Sequence, residues 1–313
     1  MKKINVIIDT DPGVDDAIAI IPALFDKKIN VLLFTTVTGN VGIEQNTRNM
    51  LHILEKCNKK IPVAKGASKP LFRETKNAKF IHGEDGSGKY EIKVDPKTKE
   101  IEKDAVEAMY EVICNHKKDI SLLLIGPQTN AAKLLQKHPD VKSMITRIIC
   151  EGSSEFGCEK ITPFVKKEYI SFNASSDPEA LQIVLNSGIP TTIIPSEIGR
   201  AAFLTAEQVE KIKENKVVGK MMYEMLNGYW EPNIDVKIVA MNDTCAILNL
   251  THPHLFKTKK AYVEVDTNEK PGKTVYNYDR RSHIKIVKNV NFKKFHKVFF
   301  KNLKNIEKSL KNR

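Results

Sequence analysis

Four aspartates stand within eight positions near the start of the chain: Asp9, Asp11, Asp15 and Asp16 in "IIDTDPGVDDAIAI". Apolar residues flank them on both sides, so the charge gathers at the edge of a core-forming segment. Pro12-Gly13 reads as a tight turn from a strand into a helix that starts at about Asp15. Asp15 and Asp16 in its first turn would favour the N-terminal dipole. Capping accounts for those two. It does not account for Asp9 and Asp11 at the strand end, where mutual repulsion would raise their pKa values or destabilise the fold. A hard cation removes the conflict, and carboxylate oxygens are the ligands that Ca2+ and Mg2+ take. Metal binding is the reading adopted for the cluster.

Further groups must come from elsewhere in the chain. Asp243 precedes an apolar, helix-like run in "VAMNDTCAILNL", where an N-capping and a ligating role stand level. A backbone carbonyl at a strand end, such as that of Ile125, needs no particular side chain. Three other turn-like motifs follow apolar runs: "TVTGN" ending at Asn40, "IGPQTN" over Ile125–Asn130 and "CEGSS" over Cys150–Ser154. In open parallel sheets ligands bind beyond the carboxyl ends of the strands, where such turns meet.

The elements that must position these residues alternate. "INVIID" precedes the first helix, and "INVLLFTTV" precedes one through "IEQNTRNMLHILEKC". "ISLLLIG" precedes "QTNAAKLLQKH", and "TRIIC" is another apolar run. "DPEALQIVLNSG" is a helix ending at Gly188, followed by the strand "IPTTIIP". This alternation predicts an α/β fold, a mainly parallel open sheet flanked by helices. From Ala261, "AYVEVDT", "KTVYNYD" and "HIKIVK" alternate as antiparallel strands. Residues 73–103 and 155–170 read as irregular surface excursions. With no repeat or low-complexity linker, 1–313 is taken as a single domain.

Composition excludes several classes. No apolar run is long enough to span a membrane, and the start shows no signal-peptide pattern. Five scattered cysteines without CxxC spacing fit a reducing cytoplasm better than a disulfide or zinc framework. The net charge of +12 is a tail property: residues 257–313 carry 17 Lys/Arg against 5 Asp/Glu, and the first 256 balance at 33 against 33. Phe292, Phe295, Phe299, Leu303, Ile306 and Leu310 recur there at helical spacing. The tail therefore reads as an amphipathic closing helix with a lysine-rich outer face, and no specific nucleic-acid partner is expected.

"DTDPGVDDA" closely resembles the signature of the inosine–uridine-preferring nucleoside hydrolases. "TTVTGN...NTRN", "IHGEDGSG", "IGPQTNAA", "FNASSDPEA" and "NDTCA" are similar to that family's motifs in the same order, so the resemblance covers nearly the whole chain. It implies Ca2+-dependent hydrolysis of the N-glycosidic bond of ribonucleosides, in nucleoside catabolism or salvage, by a cytoplasmic homodimer or homotetramer. Carried over by position, Asp11, Asp16, the Ile125 carbonyl and Asp243 are the implied calcium ligands. Asp11 is also the implied general base toward the attacking water. Asp15, Asn40 and Asn173 are implied ribose partners, with Ser171 and Phe172 beside them in "SFN", and Asp9 supports the cluster from behind. A dense anionic site suits the chemistry, because the transition state has oxocarbenium character.

Three departures stand out. Asn242 replaces a histidine that many members carry before the final aspartate ligand, and asparagine has no titrating proton to give a leaving base. His82 in "IHGEDG" is the alternative acid, against its reading as an exposed loop histidine. Tyr223 and Tyr229 either assist it or pack. Ser171 stands where many members have a ribose-contacting glutamate. Cys150-Glu151-Gly152 replaces a Met-Gly-Gly strand end, and the asparagine expected after it has no clear counterpart in 155–170. The last two departures fall on the ribose and 5′-hydroxyl side. Two rival readings follow. Asp9-Thr10-Asp11 also resembles the start of Mg2+-dependent haloacid-dehalogenase-type phosphatases, although Gly13 and the lack of a late acidic pair fit them poorly. Asn242 motivates a nucleoside- or Ca2+-binding protein without turnover.

Overall fold

A computed structural model describes residues 2–154, 169–230 and 237–311. The segment 155–168, most of the second sequence-predicted excursion, lies outside the described residues. Eleven strands are described: β1 (Ile4–Thr10), β2 (Ile29–Thr36), β3 (Val63–Lys65), β4 (Ser121–Leu124), β5 (Arg147–Glu151), β6 (Thr191–Ile194), β7 (Leu204–Thr205), β8 (Ile238–Val239), β9 (Phe256–Val265), β10 (Thr274–Tyr278) and β11 (Ile284–Val290). Nine of them form one sheet in the order β10-β9-β11-β6-β5-β4-β1-β2-β3, and β7 pairs with β8 alone.

Strands β1 to β6 run parallel. Their runs are apolar on both faces because both are covered. Val6 and Ile8 join the core on one face, and Ile7 joins the core on the other. The chain builds outward from β1 through β2 to β3, then returns to lay β4 on the other side of β1. The β1/β4 junction is thus a topological switch point, where a crevice opens at the carboxyl ends. Asp11 follows β1 and Ile125 follows β4, so the crevice lies where the acids are.

The C-terminal strands refine the sequence reading. β10 and β9 are antiparallel, and β9 is antiparallel to β11, but β11 joins β6 in parallel, Ile284 facing Thr191. The last helix, Phe292–Lys311, buries Phe295, Phe299, Leu303 and Ile306 and leaves Lys301 and Lys304 exposed. Phe292, expected in the buried stripe, is 37% exposed at its first position. The helix that ended at Gly188 in the sequence reading stops at Leu185. No helix among the described residues is long and apolar enough to cross a membrane.

Candidate active site

The first helix, Val14–Ala23, begins directly after the Pro12-Gly13 turn. Asp16 reaches back from its first turn. Its Oδ2 accepts from Gly13 N (3.0 Å) and from Asn40 Nδ2 (3.1 Å), and its Oδ1 accepts from Thr10 Oγ1. The capping role read from sequence is therefore real for Asp16, and it leaves the other acids unexplained. Asp11 Oδ2 accepts from Asn40 N at 2.8 Å, whereas the buried Asp11 Oδ1 has no hydrogen-bond partner. Asn40 Nδ2 also donates to the Asp11 carbonyl (3.0 Å), tying the end of β2 to that of β1.

The approach of these strand ends depends on glycine. A Cβ on Gly39 would lie 2.0 Å from Asp11 Oδ2, and one on Gly13 would lie 2.5 Å from His82 Nδ1. Neither position has room for a side chain.

Asp243 lies in the first turn of the helix Asn242–Thr251, whose N-cap is Met241, so the capping reading of Asp243 does not hold. It is buried. Carboxylate oxygens of Asp15, Asp16 and Asp243 lie within 4.8 Å of one another. This grouping includes Asp15, which the resemblance assigns to the sugar.

Burial raises every buried acid of the group. Asp16 is pushed up to about 7 by desolvation, reinforced by Asp15. Asp11 and Asp243 are held well above the carboxylate range by burial first, then by the neighbouring Asp16 and Asp15 charges respectively. Asp9 is raised to about 7 by burial, although Asn130 and Thr35 donate to its Oδ1. An orphaned buried oxygen and mutually repelling carboxyl groups are what a hard cation would compensate, so this aspartate cluster could hold a metal.

Asp11, Asp15, Asp16 and Asp243 form the floor of a cavity of about 330 Å3, within the range of small-molecule sites. Its walls include Asn40, His82, Ile125, Ser171, Phe172 and Asn173, so the sequence-predicted site residues converge. Asn173 Nδ2 donates to the Ile125 carbonyl (2.9 Å) and to Glu151 Oε2 (2.8 Å).

His82 is not the exposed loop histidine that sequence left open. It ends a short helix, Lys79–His82, and is 5% exposed. Its Nδ1 accepts from Val14 N at 3.1 Å, so the ring proton of the neutral form sits on Nε2. Burial lowers its pKa, with Asp15 pulling the other way. Tyr229 lies beside it, ring centroids 5.0 Å apart, and lines the same cavity. Tyr223 instead stacks under the Lys213 ammonium, as the packing reading expects. The excursion around 73–103 is thus partly built into the site. Asn49 ties it down, donating to the Pro12 carbonyl (3.0 Å) and the Asp85 carbonyl (2.7 Å).

Sequence reasoning missed two contributors. Glu151 had been noted within the "CEGSS" turn and as a departure, with no role assigned, and its buried carboxyl group lines the cavity. Ser196, at the start of the helix following β6, donates to Glu151 Oε1 at 2.9 Å. The available signal was an acid directly after the apolar Ile148-Ile149-Cys150 run.

A mainly parallel sheet with an acid-floored cavity at its switch point defines a class of small-molecule-binding α/β proteins. Comparison with known proteins narrows the class. Residues 6–297 match the inosine-uridine preferring nucleoside hydrolase family. The non-specific ribonucleoside hydrolase RihC of Salmonella newport is 36% identical over 281 residues, 89% of each chain. Among solved structures, a purine-preferring ribonucleoside hydrolase from Gardnerella vaginalis superimposes with a TM-score of 0.89 at 26% identity, covering 97% of this chain and 99% of that one. The plant nucleoside hydrolase PpNRh1 gives 0.87 at 25% identity, covering 96% and 98%. The chain belongs to the inosine-uridine preferring nucleoside hydrolase family.

Proposed function

We propose that the whole chain acts as one Ca2+-dependent hydrolase domain that splits the N-glycosidic bond of ribonucleosides into free base and ribose. The observation that carries this reading is the convergence of buried, incompletely paired carboxyl groups with Asn40 and Asn173 in the lining of a nucleoside-sized cavity. Asp11, Asp16, Asp243 and the Ile125 carbonyl would hold the ion. When bound, it would supply Lewis-acid activation of water and a hard ligand for the sugar diol.

The chain's own groups do the rest. Asp11 takes the proton from the attacking water through its unpartnered Oδ1. Asp15, Asn40 and Asn173 orient the ribose hydroxyls, and Phe172 and Ser171 close the wall beside them. The carboxylate floor stabilises positive charge as it develops at the anomeric carbon. The Nε2–H of neutral His82 donates a hydrogen bond to the departing base, which takes its proton from solvent, and Tyr229 packs against the imidazole ring. Asn242 contributes a neutral amide rather than a proton.

Nucleosides are the expected partners, in a cytoplasmic homodimer or homotetramer. The test is release of reducing sugar across matched ribo-, 2′-deoxy- and 3′-deoxynucleosides. Ribonucleosides should be cleaved and both deoxy series strongly disfavoured. Equal rates across the three would contradict a diol held at the acid cluster.

A further inference from the structure

Glu151 is a cavity carboxyl group that the acid cluster leaves unused. It closes β5, is 4% exposed, and accepts one hydrogen bond on each oxygen, from Asn173 Nδ2 (2.8 Å) and from Ser196 Oγ (2.9 Å). Both donors are neutral, and among the described residues no cation pairs with it. Each carboxylate oxygen keeps acceptor capacity beyond those bonds. A buried acid without a cation is costly, and a ligand hydroxyl would offset part of that cost.

The strand order gives it a direction. The neighbours run β6-β5-β4-β1-β2. The acid cluster rises from the end of β1. His82 sits over the β1/β2 side, bonded to Val14 N and close against Gly13, beside Asn40. Glu151 lies two strands to the other side, roughly 10 Å away at the usual strand spacing. A furanose whose 2′,3′-diol rests on the acids carries its base on one flank and its hydroxymethyl arm on the opposite one. With the base toward His82, the arm points to β5. Ser171 also lines the cavity, but it is buried and its side chain is short.

We infer that Glu151 binds the primary 5′-hydroxyl of the substrate and makes this site selective for nucleosides with a free 5′-hydroxymethyl arm. This rests on the hydrolase reading above and deepens it: on the β5 side of the cavity the carboxyl group comes from the end of a strand. Asn173 then bridges the two ends of the sugar site, donating to the Ile125 carbonyl at the diol end and to Glu151 at the arm end.

The test compares kcat/KM for inosine and 5′-deoxyinosine in the full-length wild type and in Glu151→Met. Methionine fills the volume and removes a buried acid, so the variant is expected to fold. The wild type should prefer inosine by about 10- to 100-fold, the cost of leaving a buried hydrogen-bonding group without its partner. Glu151→Met should bring that ratio to within about threefold of unity, while the preference for inosine over 2′-deoxyinosine stays unchanged. If Glu151→Met does not fold, Glu151→Gln is read instead, and a fall in the ratio of about threefold or more supports the assignment. An unchanged ratio, or equal losses on both substrates, overturns it and leaves Glu151 as a prop for Asn173. If the wild type hydrolyses neither compound, the hydrolase reading fails. The same ratio taken from calorimetric dissociation constants then decides the role of Glu151 separately.

Discussion

Stripping divalent ions from the protein should make its stability strongly pH-dependent, and adding Ca2+ should remove most of that dependence. Asp16 sets the scale. Burial moves it from 3.8 to about 7 in the folded chain, and each pKa unit is worth about 1.4 kcal/mol. Because the folded value lies above the unfolded one, the folded state holds the proton more tightly. That contribution is fully present below the unfolded pKa and is lost as pH rises through about 7. The ion-free protein should therefore lose about 4 kcal/mol from this group alone between roughly pH 4 and pH 8. Asp9, raised to about 7, and Glu151, raised to about 8, act in the same direction. Unfolding entropy of about 2.1 cal/mol/K per residue implies that 4 kcal/mol moves Tm by about 6 °C in a chain of this length. Scanning calorimetry on chelated protein at several pH values, with and without millimolar CaCl2, reads this directly. Ca2+ should raise Tm by about 6 °C or more at pH 8.5 and by little at pH 5, where protons compete for the same oxygens. A Ca2+ effect of the same size at both pH values, or none at pH 8.5, would refute the account of the acids.

Three other outcomes are expected. His82→Ala should lower kcat on natural nucleosides by about 10² or more, and much less on p-nitrophenyl riboside, whose leaving group needs no proton; equal losses would make His82 a positioning residue. Gly39→Ala should displace Asp11, on which its Cβ would impinge, so bound calcium by elemental analysis and activity should fall together while circular dichroism stays native. In the last helix, Phe295→Ala should cost about 3–5 kcal/mol in denaturant unfolding, since the ring is wholly buried, whereas Lys301→Glu and Lys304→Glu should leave hydrolysis unchanged.

Much of the site was legible in the sequence because the chemistry crowds into strand–turn–helix junctions, where local rules apply. The Asp9–Asp16 turn, Asn40 and Ile125 all sit at ends of apolar runs, and the parallel order follows from their alternation with helices. What was not legible depends on contacts between distant segments. The parallel docking of β11 on β6 is a tertiary choice that an alternating pattern does not distinguish from a hairpin. His82 looked like a loop residue because its burial comes from Gly13, Val14 and Tyr229, far away in sequence. Glu151 looked like a lost motif, and only the fold brings Asn173 and Ser196 to it.

The central claim is that the Asp11 cluster performs N-glycosidic hydrolysis of ribonucleosides. The most direct measurement follows free base released from inosine and uridine, and phosphate released from their 5′-monophosphates, by the wild type and by Asp11→Asn side by side. The account predicts base release by the wild type, a loss of about 10²–10⁴ or more in Asp11→Asn, and no phosphate from either protein. Phosphate release by the wild type, or base release that survives Asp11→Asn undiminished, would contradict it.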